Sequence, residues 1–274
     1  MKTLFACIAI FRVKLAESAQ YRVALLSNSS VGIFWGLIEV TVYRVFFLYA
    51  NNQAVVNTSA LSLPQMISYI WLMQIILALT PHNVEGDIVE KINNGDIGIE
   101  LCRPMALYAF WFSKTAASRI APLFWRGVPV LIVALIMPAG MRLSGPASGA
   151  GLILMLVSCV FALFLCTAYA MLVTAVRMNV TWGDGPMYII LTFGLVFSGA
   201  FLPLQLWPDA LQRMLLYQPF AGYLDIPVRL YIGTMPPKDA VFAFGLQIFW
   251  TAVFYGAGRL MMRGRLRKTV VQGG

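Results

Sequence analysis

Residues Pro81 to Pro104 read PHNVEGDIVEKINNGDIGIELCRP, a long polar interruption in a chain that otherwise reads as hydrocarbon. Five of the eleven acidic residues lie in it, Glu85, Asp87, Glu90, Asp96 and Glu100. Val84, Ile88 and Ile92 recur four apart, which places them on one face of a short amphipathic helix with Glu85 and Glu90 turned away. Asn93-Asn94-Gly95 ends that helix. Ile97, Ile99 and Leu101 then alternate with Gly98, Glu100 and Cys102, a period of two that predicts an extended piece before Pro104 opens the next helix. Two readings stay open for this stretch: an ordered elbow between membrane helices, or a docking surface for another protein.

Working outward, the composition sets the class. The chain has 274 residues, of which 60% are hydrophobic and 11% charged, with a mean hydropathy of +0.78. Soluble domains carry roughly 25% charged residues. A spanning helix needs about 20 mainly apolar residues, which leaves room for about six. The formal net charge of +9 does not point to nucleic acid, because of where it sits. Lys2, Arg12, Lys14 and Arg22 precede the first span, and Arg259, Arg263, Arg265, Arg267 and Lys268 close the last. Basic groups at both ends predict cytoplasmic termini and an even number of crossings. The apolar run Leu4 to Phe11 is too short, and too soon broken by Arg12 and Lys14, to read as a cleaved leader.

The expected architecture is an all-α polytopic membrane domain over residues 1–274. An interfacial helix at 2–26 lays its basic groups on lipid head groups. Spans follow at 28–50, 64–80, 119–137, 149–176, 186–202 and 240–262, with Met105 to Ser118 as an aromatic helix entering through the interface. Residues 81–104 form the cytoplasmic elbow after span two. Residues 203–238 are apolar but broken by Pro203, Pro208, Pro219, Pro227, Pro236 and Pro237. Two short helices are predicted there, about 209–217 and 223–232, dipping into the outer leaflet as a re-entrant pair before span six.

Little catalytic chemistry is legible. The chain has no G-x-x-x-x-G-K-[ST] phosphate loop, no HExxH and no GxSxG. His82 beside Pro81 reads as a loop residue. Cys7, Cys102, Cys159 and Cys166 form no CxxC, and Cys159 and Cys166 read as polarizable filler rather than a disulfide or a metal site. The ionisable residues expected at membrane depth are Glu39, Arg126 and, near an end, Arg44. Arg44 is placed to snorkel, whereas Glu39 and Arg126 must face a partner helix, water or a transported group. Arg119 and Arg126 are seven apart and share a helix face. Glu39 and Arg126 are therefore candidates for a substrate path or a structural pairing.

With the elbow, the proline-broken segment and the six predicted spans in view, the chain resembles a permease subunit of the type-2 ABC exporter superfamily. The local match is to a bacterial elbow pattern close to I…I..G.I...L.RP, met here by Ile88, Ile92, Gly95, Asp96, Ile97, Leu101, Arg103 and Pro104. The resemblance implies docking of the elbow on separate ATP-binding subunits through Val84, Glu85, Asp87, Ile88, Glu90, Ile92 and Arg103. Val84, Ile88 and Ile92 would fill a cleft of the ATPase while Glu85, Asp87 and Glu90 meet its basic rim. It further implies a second permease chain, identical or similar, a place in the bacterial inner membrane among lipids, and ATP and Mg held by the partner rather than by this chain. An apolar, aromatic-rich bundle suits amphiphiles: lipids, hydrophobic drugs or peptides. The alternative is an ATPase-independent secondary transporter that uses Glu39 and Arg126.

Overall fold

The computed structural model describes residues 22–53, 61–81, 86–94, 97–101, 106–180 and 185–266, together with positions 9, 12, 13, 16 and 17, which are helical. Most of the interfacial segment 2–26, along with Val84, Glu85, Arg103 and the side chain of Ile92, lies outside the described residues. Among the described residues every regular element is helical. We number the α-helices α1 (Arg22–Gln53), α2 (Leu63–Ile76), α3 (Gly86–Asn94), α4 (Ile97–Leu101), α5 (Leu107–Ile136), α6 (Gly149–Asn179), α7 (Gly185–Val196), α8 (Asp209–Tyr217), α9 (Asp225–Ile232) and α10 (Ala240–Leu266).

Four stretches are long and apolar enough to cross a membrane: Leu26–Tyr49, Leu107–Ile136, Gly149–Asn179 and Pro237–Leu266. The two other predicted spans are shorter apolar helices, Leu63–Leu79 and Gly185–Val196. At 1.5 Å per residue, α7 is roughly 18 Å long against a hydrocarbon core of about 30 Å. Its stop is local, since Gly199 adopts φ +89° just beyond it, a conformation that an L side chain resists. The aromatic entry helix and the third span, read separately from the sequence, are one continuous helix, α5. At about 45 Å it exceeds the hydrocarbon thickness, so its first turns are free to meet the elbow.

The core explains the order of the elements. α6 lies at the centre and packs most extensively on α10, then on α9 and α5, while α1 closes against α2 and α5. Small residues allow this approach. A Cβ on Gly36 would sit 2.9 Å from the Trp71 ring, and one on Gly258 would sit 2.5 Å from the Tyr108 hydroxyl. Polar side chains join the helices where hydrocarbon provides no water. Gln247 Nε2 donates to the Gly222 carbonyl at 2.8 Å and to Ser158 Oγ at 3.0 Å, tying α10 to α6. Pro129 has no N–H to give to the carbonyl four residues back, that of Trp125. Ser29 Oγ of α1 donates to that carbonyl at 3.0 Å. By contrast Phe34, Trp35, Ile38, Val42, Val45 and Phe46 of α1 are exposed, as expected of a surface whose solvent is lipid.

The bundle has two chemically different ends. At the elbow end, α3 and α4 sit on the first turns of α5 and the last turns of α6 and α10. At the distal end, the turn after α5, the start of α6, the start of α2 and α9 interlock: Ala147 N donates to the Tyr231 carbonyl, Gln65 Nε2 to the Ile232 carbonyl and Trp71 Nε1 to the Met141 carbonyl. α9 stops at Gly233, whose φ of +78° is left-handed, a common helix-ending geometry for glycine.

Candidate functional site

The elbow is folded onto its own bundle. Ile88 is 1% exposed and packs in a second core with Ile97 of α4, Leu107, Tyr108, Phe110 and Trp111 of α5, Met171 and Met178 of α6, and Met262 of α10. The side chain expected to plug a partner's cleft is thus covered by the chain's own helices. The amphipathic period identifies the buried face of α3, and the chain itself covers that face. Exposed on α3 are Gly86, Asp87, Glu90 and Asn94. Asp87 Oδ2 accepts from Lys114 Nζ of α5 at 2.6 Å, so its charge is already paired within the chain.

The expected extended piece after the turn is corrected, because Ile97–Leu101 is a helical turn. A lone strand here would leave its edges without partners. As a helix it turns Ile97 and Glu100, three residues apart, to one side, and both are buried. Glu100 is 2% exposed and is held by donors from α3 and α5. Lys91 Nζ of α3 pairs with Oε1, and Trp111 Nε1 of α5 donates to Oε2 at 2.7 Å. A buried carboxylate is tolerated only with such partners. Glu100 is thus the clasp that joins α3, α4 and α5, a role that no spacing in the sequence assigns to it.

The second cluster lies within the bundle. Glu39 of α1 and Arg126 of α5 make no ion pair with each other among the described residues. They are joined through Gln74 of α2, which is 3% exposed. Gln74 Nε2 donates to Glu39 Oε2 at 3.3 Å, and its Oε1 accepts from Arg126 NH2 at 3.3 Å. One amide, with a donor on one side and an acceptor on the other, bridges an acid and a base that are both half-buried. Gly32 makes room for the arginine, since a Cβ there would lie 3.3 Å from Arg126 Nε. Arg119, on the same face of α5, is buried and donates to the Leu79 carbonyl at 3.2 Å. Both arginines thus face the α2 side. Arg44 is exposed.

A third cluster, at the distal end, has no counterpart in the sequence reading. Asp225 of α9 is 0% exposed. Its Oδ1 is 3.1 Å from the Tyr69 hydroxyl of α2, and its Oδ2 is 3.5 Å from Arg229 NH1, one helical turn on. The Tyr69 hydroxyl also lies 3.1 Å from the Gly199 carbonyl. The signal was present in the spacing, because Asp225 and Arg229 stand four apart in a segment expected to enter the membrane.

Cys159 and Cys166 are free thiols, and among the described residues no three of His, Cys, Asp and Glu gather as metal ligands would. What the chain offers is a membrane bundle with a braced elbow at one end, a polar bridge inside and an acid–base pair at the other end. Neither the curated proteins nor the solved structures contain a match to it. A protein-family profile described as ABC-2 family transporter protein does match, over residues 37–273, from the middle of α1 to the tail beyond α10. That match takes in the elbow, the polar bridge and the distal helices together, and the chain belongs to the ABC-2 transporter family.

Proposed function

We propose that this chain is the membrane permease of an ATP-driven exporter, docking separate ATPase subunits at its elbow and working beside a second permease chain. It moves an amphiphilic or hydrophobic substrate outward by alternating access. The observation that carries the reading is the seating of the elbow. Ile88 and Ile97 are sunk among α5, α6 and α10, Glu100 is buried against Trp111 of α5, and Asp87 and Glu90 stay exposed. A segment built in this way displays a polar face to a soluble partner and passes its displacement to three helices at once. In this reading ATP and Mg are held by the partner.

The topology that goes with this reading places both termini and the elbow on the cytoplasmic side of the inner membrane, with six crossings. Arg263 and Arg265 in the last turn of α10 support it, because they share an end with the elbow and basic residues favour the inner face. The two short helices α2 and α7 then cross with help from the segments that continue them.

Charge reversal at Glu90 tests the docking face. Glu90→Lys leaves membrane level and thermal stability at those of the parent and weakens ATPase association by about two- to fivefold, the range of one exposed charge. Purification in mild detergent followed by identification of bound ATPase reads this directly. Export that continues undiminished after ATP is exhausted rejects the proposal and favours ion-coupled transport through Glu39, Gln74 and Arg126.

A further inference from the structure

A cavity of about 270 Å³ opens at the distal end between α8, α9 and the start of α10. It is small beside the ~300–1,000 Å³ of sites that enclose a whole drug-sized ligand, and so has the capacity of a head group rather than of an entire lipid. Its lining is divided. Leu216, Phe242 and Leu246 supply apolar walls, and Arg229, Thr234 and Asp239 supply polar ones.

The two charged groups differ in how they are held. Arg229 is braced from behind by Asp225, which is fully buried, so the ion pair fixes the guanidinium while its side chain remains 20% exposed. Asp239 is exposed in the turn Pro237–Asp239 just before α10, and among the described residues no ion pair joins it to Arg229. The cavity therefore presents a guanidinium backed by Asp225 and a separate carboxylate on Asp239, and these two lining groups are not joined to each other. A purely anionic guest meets the Asp239 carboxylate and a purely cationic guest meets the guanidinium. A guest carrying both charges is accepted by both. The apolar surroundings favour a membrane source. Phe242 at the cavity and Leu211 and Met214 on α8 are exposed, an apolar rim of the kind that acyl chains cover.

We propose that this cavity binds the head group of a zwitterionic phospholipid, with the phosphate on Arg229, the ammonium on Asp239 and the acyl chains running along Phe242 and α8. The site is separate from the elbow, and its occupancy is independent of ATP and of transport.

The test uses the full chain purified in detergent, loaded with equal amounts of phosphatidylethanolamine and phosphatidylglycerol, with retained lipid read by native mass spectrometry. The parent retains phosphatidylethanolamine over phosphatidylglycerol by about fivefold, the upper end for one partly solvated ion pair. Asp239→Asn removes the carboxylate charge at an exposed position without disturbing the core, and the preference falls to about one. Ala243→Leu, which fills the cavity from α10, lowers retention of both lipids. Equal retention of the two lipids by the parent, or a preference that survives Asp239→Asn, overturns the proposal. Displacement of the bound lipid by an equal concentration of soluble phosphoethanolamine overturns the bilayer as the source of the head group.

Discussion

Replacing Gln74 with leucine deletes both halves of the amide that separates Glu39 from Arg126. The side-chain volume is nearly kept, so the packing against Gly36 and the neighbouring Trp71 is little disturbed. Each lost hydrogen bond reaches a charged group, a class worth about 1.5–3 kcal/mol, and the 3.3 Å lengths place both near the lower value. The pair sums to about 3 kcal/mol, and the greater hydrophobicity of leucine returns about 1 kcal/mol. A net loss of about 2 kcal/mol corresponds to a fall in melting temperature of about 4–8 °C in a domain of this size. Thermal unfolding in detergent measures it. The decisive comparison is a cycle in which Gln74→Leu is repeated on a Glu39→Leu, Arg126→Leu background. If the amide acts by bridging the two charges, the cost disappears there, because an apolar triple replacement removes all the groups that needed partners. A Gln74→Leu variant as stable as the parent, or a cost that persists in the charge-free background, refutes the bridge.

Two other substitutions separate elements of the fold. Ile88→Asp drives a carboxylate into the core formed by α3, α5, α6 and α10 and lowers stability by about 3 kcal/mol or more. Limited proteolysis then cuts the elbow readily, whereas a variant that keeps parental protease resistance contradicts the buried position. Tyr69→Phe withdraws the hydroxyl shared by Asp225 and the Gly199 carbonyl and destabilises by about 1–3 kcal/mol. The same change on an Asp225→Asn background shows a smaller loss in a thermal scan, and an equal loss would mean that the carboxylate is not the partner that matters.

The long helices were legible because α1, α5, α6 and α10 are written as apolar runs of sufficient length, and the bilayer imposes that pattern. The short helices α8 and α9 were legible from the prolines that bound them. Periodicity also found the apolar face of α3, but a period reports that a face is covered and not what covers it. The period of α3 thus leaves open whether a partner or the chain covers Ile88, and in the folded chain α5 and α6 enclose it. Over Ile97 to Leu101 five residues were too few for alternation to compete with tertiary contacts, and the burial of Glu100 against Trp111 and Lys91 decided the conformation. Gln74 was invisible for a different reason. A single amide in LPQMISYIWLMQII carries no pattern, and its role arises only when α1 and α5 bring opposite charges to its two sides.

The second core has a mechanical consequence. The elbow is covalently continuous with α2 through Thr80 and Pro81, yet the side chains that pack around it in that core come from α5, α6 and α10, with none from α1 or α2 among the described residues. A load applied at α3 is thus delivered first to one side of the bundle. The α1–α2 pair is drawn along by its packing on α5, and the Gln74 bridge crosses that boundary. The contact there is polar: an amide held at 3.3 Å by a carboxylate on one helix and a guanidinium on another, which a small displacement can break and re-form without unpacking interlocked side chains.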